Sequence, residues 1–309
     1  MHFNLKEVSL QKLLKNLYFL ARQDVKERLI EQRLAQTYNS ILIHSAIDAA
    51  YRQQYAPEIE RLKGIGQCTL YPSQDIHLRE VEAAMDGARR MPYVMHNGKR
   101  LYYPKSYTVA EAIHAYHNIV DSDGILGTSS PGTPHQYQDE TYRLNDGDVV
   151  VDVGCAEALF ALDNIERVSK AILIECNAEW LTALRATFAP YSDKVEIVNR
   201  LVTDHDSRST IRLSTLLQGE TRPVFIKMDI EGYEVATVQS AAQFLSGMAN
   251  VTLACCTYHN SADGEQLAAI FDAIGYEHRF SDGYMIFARY DQPRFPFFRH
   301  AVIRARKRK

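Results

Sequence analysis

The second half of the chain carries apolar runs of strand length that end, one after another, on acids and glycine. Val149 to Val153 runs into Gly154, with Asp152 just inside the end. Ala171 to Glu175 ends on Ile174-Glu175, and a third run leads into Lys227-Met228-Asp229-Ile230-Glu231-Gly232. Short runs rich in β-branched residues have the signature of strands buried on both faces. Separated by helix-length segments, they predict a doubly wound, mostly parallel α/β sheet with strands near 149–153, 171–175, 195–199, 224–229 and 251–257. Such sheets bind ligands outside the carboxyl ends of their strands, where Gly154, Glu175, Thr203, Asp204, Asp229 and His259 are expected to converge.

Gly154 permits a tight turn into a helix expected near Glu157, and Asp152 can accept hydrogen bonds from the loop or from a ligand. Glu175 lies about 20 residues beyond that loop, the place from which a carboxylate meets the donor hydroxyls of a ribose. Any open α/β sheet yields apolar strands ending in acids, so a lone glycine loop would say little. The ordered recurrence of loop, downstream acid and third acid cluster favours a nucleotide-cofactor site. A dinucleotide needs further glycines for close approach of its pyrophosphate, whereas this loop reads Gly154-Cys155-Ala156-Glu157-Ala158. A phosphate ~4 Å from the Glu157 carboxylate would be repelled by roughly 4 kcal/mol at an effective dielectric of about 20, which argues against NAD. S-adenosylmethionine has no phosphate and carries a sulfonium and an ammonium, so Asp152, Glu157, Glu175 and Asp229 suit it. Glu157 also has a plain structural reading, an acid in the first turn of a helix, worth roughly 0.3–1 kcal/mol.

The block Val224-Phe225-Ile226-Lys227-Met228-Asp229-Ile230-Glu231-Gly232-Tyr233-Glu234 resembles the signature of the FkbM-type S-adenosylmethionine-dependent methyltransferases. The resemblance covers roughly residues 135 to 290, with its motifs in order. It implies a Rossmann-like class I methyltransferase sheet, mostly parallel with an antiparallel C-terminal hairpin, behind an N-terminal mainly helical region. It further implies that Asp152 and Gly154 line the cofactor loop, that Glu175 holds the ribose, and that Lys227, Asp229 and Glu231 stand beside the reacting methyl. The family loop usually carries Asn and Gly where this chain has Ala156 and Ala158, and Ser240 stands where a later Gly is usual. The expected cofactor-binding set is Asp152, Gly154, Cys155, Ala156, Glu157, Glu175, Cys176, Thr203, Asp204 and Asp229. By the same resemblance the acceptor is a hydroxyl of a sugar, glycan or secondary metabolite.

For a hydroxyl acceptor the base candidates are His259, in Thr257-Tyr258-His259-Asn260, and Asp229. Histidine has the suitable unperturbed pKa, and Asp229 or Glu231 can orient it or fix the acceptor, although a histidine on a strand-end loop is often only structural. Lys227 is expected to pair with carboxylates rather than to act as a nucleophile. The spacing of Asp229, Glu231 and His259 is not diagnostic of a metal, and none is assigned. No Asn-Pro-Pro-Tyr or Asp-Pro-Pro-Tyr run follows the fourth strand, which weakens amino-directed methylation of bases.

With 309 residues, 46% hydrophobic and 24% charged, the chain suffices for one large core and a smaller appendage, and its net charge of −3 gives no pull toward nucleic acid. No apolar run reaches membrane-spanning length and the charged start lacks a secretory core, so a cytoplasmic protein is expected. The five cysteines form no Cys-x-x-Cys pair and leave an odd one over, which disfavours structural zinc and a disulfide framework.

Three segments are expected. The first, 1–133, shows helical spacing in Leu10, Leu13, Leu14 and Leu17 and again in Leu34, Tyr38, Ile41 and Leu42, as a cap or a homo-oligomer surface. It also holds a hairpin at Tyr93 to Tyr103 around Asn97-Gly98, a helix from Tyr107 to Val120 and a loop from Asp121 to Thr133. The cofactor domain, 134–290, opens with His135 and Tyr137 and closes with a helix at Gln266 to Ile274 and an antiparallel pair, Tyr276–Phe280 with Tyr284–Ala288. The third segment, 291–309, is a basic tail expected to be solvated. Two other readings compete with the enzyme: a non-catalytic binding module of the same fold, and an NAD-linked oxidoreductase.

Overall fold

A computed structural model describes residues 25, 28–72, 78–124, 133–289 and 292–308. The chain divides into two compact units, Met1–Pro72 with Ile286–Phe298, and Ser73–Met285 with Arg299–Lys309.

The smaller unit holds helices α1 (28–47), α2 (Ala49–Gln54) and α3 (Ala56–Ile65). Asp48 starts α2 by accepting the Tyr51 N–H at 3.0 Å, and Gly66, in the left-handed region at φ +79°, ends α3. Thr37, Ile41 and Ser45 form the buried stripe of α1. The segment 286–298 closes this unit: the Ile286 N–H donates to Leu70 O at 2.8 Å, Arg33 reaches Ala288 O at 3.0 Å, and the Phe298 ring stacks on Tyr55 at 4.7 Å. The expected helical face at Leu10 to Leu17 lies outside the described residues.

The larger unit is built on a seven-stranded sheet. Its strands are β4 (Val149–Val153), β5 (Lys170–Ile174), β6 (Val195–Val198), β9 (Val224–Met228), β10 (Val251–Cys256), β11 (Tyr276–Phe280) and β12 (Val302–Lys307), in the order β11-β12-β10-β9-β4-β5-β6. All neighbours pair in parallel except those of β12, which is antiparallel to both β10 and β11. This is a Rossmann-like α/β fold. Every position of β4 and β9 is buried, as central parallel strands require: four of five residues in each are apolar, and the one charge in each, Asp152 and Lys227, meets the other. Helices α5 (Leu159–Asn164), α6 (Ala178–Thr187), α8 (Glu234–Gly247) and α9 (Asp263–Ala273) form the crossovers, with a short α7 (Leu213–Leu216) and a two-stranded parallel pair, β7 (Leu201–Val202) and β8 (Thr210–Ile211). Val238, Ala241, Leu245, Leu267 and Phe271 of α8 and α9 pack on Val151, Ile226, Met228 and Leu253 of the sheet.

Three features differ from expectation. The Asn97-Gly98 hairpin is present, with both residues at positive φ (+48° and +77°) as a type I′ turn requires, but it is the outer part of a three-stranded sheet, β1 (Ala83–Asp86), β2 (Met91–His96) and β3 (Lys99–Tyr102). That sheet belongs to the larger unit. Met91 and Tyr102 bury against Ala183 of α6, and the Tyr102 N–H donates to Thr187 Oγ1 at 2.9 Å, so the division falls after Pro72 and not at 133. Helix α4 (Val109–His117) follows, its Thr108–Glu111 capping box in place, and runs into a π-type turn over Asn118–Asp123. Most of the expected loop from 121 to 133 is outside the described residues.

The second difference is the partner of β11, which is β12 and not 284–288; only Met285 bridges back, to Arg299. The third follows from it: the basic C-terminus is not a solvated tail but an interior strand. Val302, Ile303 and Ala305 supply the apolar positions, and the buried Arg304 is held by Asp139 Oδ2 at 2.8 Å and by Gln136 O at 2.6 Å. A buried charge partnered in this way is tolerated.

Candidate active site

The chain leaves β4 through Gly154, at φ +70°, where a Cβ would stand 1.9 Å from the backbone oxygen of Asp229. No side chain fits there, and the two strand-end loops touch because of it. The N–H groups of Gly154 and Cys155 both donate to Ile174 O, at 2.9 and 3.1 Å. Ala156 and Ala158 then adopt φ of +46° and +59°, the region favoured by Gly and Asn, and α5 starts at Leu159, two residues later than expected.

Glu175 closes the other side of this loop. Its Oε2 accepts the Ala156 N–H at 3.0 Å and its Oε1 the Asn177 N–H at 2.7 Å. Each carboxylate oxygen keeps a further acceptor site, so the group can still receive ribose hydroxyls. Asn199, which sequence reasoning did not single out, braces this turn by donating to Glu175 O at 2.7 Å and Cys176 O at 3.1 Å. Cys176 is exposed; Cys155 is buried, and burial raises its thiol pKa well above the ordinary value. Glu157 is buried beside Tyr103, whose hydroxyl pKa is raised by burial and by the Glu157 charge. Thr203 and Asp204 lie past β7, where the Asp204 carboxylate takes the Thr203 hydroxyl at 3.1 Å and pairs with His205 at 2.8 Å.

Lys227 and Asp229 come from the end of β9. The Lys227 ammonium lies 3.0 Å from Asp152 Oδ1 and donates to Gly154 O at 2.8 Å, so it ties the first strand to the loop. Asp152 is therefore spent on Lys227 rather than on loop amides. Burial disfavours the charged lysine, but the Asp152 and Asp229 carboxylates override it and hold its pKa above the ordinary value. Burial pushes the Asp229 carboxyl the other way, yet Lys227, His259 and His135 and the Tyr137 hydroxyl outweigh it and bring the pKa down to about 2. Tyr137 donates to Asp229 Oδ2 at 3.1 Å and Tyr258 to Oδ1 at 3.2 Å. Burial lowers the pKa of His135, next to them, to about 4, so its ring is neutral near pH 7.

His259 is buried at the end of β10. Its Nε2 faces Asp229 Oδ1 at 3.5 Å and Glu231 Oε2 at 3.6 Å, while its Nδ1 meets Glu234 Oε1 at 3.0 Å. Burial alone would lower its pKa, but Glu234 and Asp229 raise it. Glu231 sits at φ +57° with its side chain 55% exposed, toward solvent. Among the expected residues, Asp152, Gly154, Lys227, Asp229, Glu231 and His259 are linked by direct contacts, and Ala156 joins Glu175 to the same loop; Thr203 and Asp204 stand apart in their own hydrogen bonds. Tyr258 and Glu234 were missed, although Glu234 closes the acid-rich block.

Two groups, His135–Asp229–Cys256 and Asp229–Glu234–His259, bring three donor atoms within 4.8 Å of one another. In the first, the Lys227 charge acts on all three residues; in the second, both Glu234 oxygens accept backbone N–H groups, from Ile230 and Gly232. Neither is assigned a metal. A cavity of about 720 Å³ lies at the opposite end of the sheet, among the starts of β9 and β10, and is lined by Arg143, Asp148, Asn250 and Arg306; it is far from Asp229 in the fold.

No family model matches the chain, and no curated protein matches it. Among solved structures it is similar to the methyltransferase FkbM from Methylobacillus flagellatus, at 21% identity over 53% of this chain and 44% of that one, with a TM-score of 0.42. It is also similar to a precorrin-6y C5,15-methyltransferase from Geobacter metallireducens, at 15% identity over 54% and 83% of the two chains, with a TM-score of 0.37. An rRNA methylase from Streptococcus thermophilus shares 10% identity over 54% and 90%, with a TM-score of 0.36. The chain spans less than half the length of the FkbM structure. These likenesses carry no substrate with them. Among the described residues, no helix is long and apolar enough to cross a membrane.

Proposed function

We propose that the chain is an S-adenosylmethionine-dependent methyltransferase acting on a hydroxyl of a sugar, glycan or secondary metabolite. The observation that carries this reading is the double contact of one loop: Gly154 has no room for a Cβ against Asp229, and two residues later Ala156 binds Glu175. A single turn thus joins a carboxylate suited to a ribose to an acidic cluster suited to a cationic methyl donor. Glu157 and Glu175 would hold the cofactor around Gly154, with Asp152 fixing that loop through Lys227. When bound, it supplies an electrophilic methyl on a sulfonium.

The chain's own residues then have defined tasks. Asp229, kept ionised by Lys227 and by the Tyr137 and Tyr258 hydroxyls, accepts a hydrogen bond from the acceptor and fixes its direction. His259 Nε2, on the same side, takes the hydroxyl proton. Orientation supplies up to roughly 7–11 kcal/mol of barrier reduction, and a general base about 10²–10⁴-fold, or roughly 3–5 kcal/mol. The acceptor is small rather than a nucleic acid, consistent with the net charge of −3.

Calorimetry with S-adenosylmethionine and its demethylated product tests the reading. Wild type is expected to bind both, and Glu175→Ala to weaken binding at least tenfold. No binding by wild type ends the proposal, and methylation of RNA in preference to hydroxylated small molecules ends its acceptor half.

A further inference from the structure

Tyr103 follows β3 directly and its backbone is held by that sheet, the N–H donating to Pro92 O at 2.9 Å. The side chain is fully buried, yet among the described residues its hydroxyl has no hydrogen-bond partner. A buried hydroxyl without a partner is costly, and native proteins keep few of them without a use. Both walls of the cofactor loop lie against this one. On one side Glu157 acts on the hydroxyl through its charge. On the other stands Trp180, in the first turn of the helix that follows Glu175, with its ring 5.9 Å from that of Tyr103 and 6.0 Å from that of Tyr107; the two tyrosine rings stack at 5.9 Å. The Ala156 N–H bond to Glu175 ties the two walls together. Ala156 and Ala158, on either side of Glu157, hold φ of +46° and +59°, a conformation that costs an L-residue energy. An unsatisfied hydroxyl and a strained loop thus adjoin each other, as they do where a site is shaped for a ligand.

The charges around this cluster select the ligand's sign. Glu157 acts on Tyr103, and Glu157, Glu179 and Glu111 all act on Tyr107. Aromatic faces attract cations, and carboxylates beside them add to the attraction while repelling a phosphate. Burial and the Glu157 charge keep the Tyr103 hydroxyl protonated, so it is a neutral group whose oxygen can accept from an ammonium. We infer that Tyr103 is a cofactor-binding residue supplied from outside the parallel sheet: its hydroxyl oxygen accepts a hydrogen bond from the ammonium of the cofactor's amino-acid arm, within the cluster formed with Tyr107, Trp180 and Glu157. The inference rests on the S-adenosylmethionine reading for the identity of the ligand and goes beyond it in giving the small antiparallel sheet a part in binding.

Trp180 is the chain's one tryptophan, so intrinsic tryptophan fluorescence reports on this cluster alone. Titrating the full chain with S-adenosylmethionine should change that emission in step with calorimetric binding; calorimetric saturation with no change in emission places the ligand elsewhere and overturns the inference. Tyr103→Phe removes the hydroxyl and nothing else. The dissociation constants of S-adenosylmethionine and of its demethylated product, which both carry the ammonium, should rise about tenfold or more, the size of a hydrogen bond to a charged group. That of 5′-methylthioadenosine, which lacks the amino-acid arm, should stay within twofold. Without ligand the variant should unfold at a Tm no lower than wild type, because it loses an unsatisfied group and no bond. Unchanged affinity for the first two ligands, a rise shared equally by methylthioadenosine, or a lower Tm with affinity intact overturns the inference while wild-type binding stands. A wild type that binds none of the three ends the methyltransferase reading itself and this inference with it.

Discussion

The two ends of the central sheet use the same residue types in opposite ways. At the carboxyl end, Lys227 and Asp152 form an ion pair with side chains 7% and 1% exposed, and Asp229 gathers two tyrosine hydroxyls and two histidines around it. At the amino end, Arg306 and Glu277 pair across β12 and β11 with side chains 35% and 41% exposed, beside a cavity open to solvent. Water screens the second pair and leaves it worth little, whereas the first is stripped of water and must be satisfied by protein alone. Desolvated charge is kept where chemistry needs it.

Removing one member of the buried pair should show this contrast most strongly. Lys227→Met leaves Asp152 without its counter-ion and should cost about 3–5 kcal/mol in urea unfolding, much of it recovered when Asp152 is also made Leu. Failure of the second change to recover stability would mean that the lysine acts through its Gly154 bond instead. Gly154→Ala is expected to follow at about 3 kcal/mol or more, because backbone oxygen cannot yield as a flexible side chain would and the φ of +70° adds strain. A soluble, wild-type-like Tm would show that the two loops can separate.

Acid titration of stability comes third. The Asp229 pKa is depressed to about 2, so its contribution of about 2 kcal/mol is complete above the unfolded value near 3.8 and is lost as pH falls through about 2. Asp229→Asn should lack this loss when unfolding is followed across that window. The smallest effect belongs to the amino end, where Arg306→Ala should change stability by under about 1 kcal/mol. A change as large as that of Lys227→Met would break the contrast between the two ends.

The strands of the parallel core were legible because each is a short β-branched run bounded by turn residues; β4 spans 149–153, as expected, and β5, β6, β9 and β10 lie within a residue of their expected ends. The Asn97-Gly98 turn was legible for the same local reason, since both residues tolerate positive φ. β12 was not, because Arg304, Arg306 and Lys307 interrupt its apolar residues, and the groups that make the buried Arg304 acceptable, Asp139 and the Gln136 carbonyl, are far away in the chain. In the site, Asp229 and His259 stood out by their places at strand ends. Glu234 did not, because its meaning depends on the fold of the short loop between β9 and α8 back onto its own helix start.

The amino-acid sequence by itself determined which runs become buried strands and which acids end them, since burial periodicity and turn chemistry act over a few neighbouring residues. Only the tertiary structure decided which strand pairs with β11, to which unit the small antiparallel sheet belongs, and which acids gather around His259. Those outcomes depend on contacts between residues far apart in the chain, where partner choice is set by what else needs to be buried or neutralised nearby.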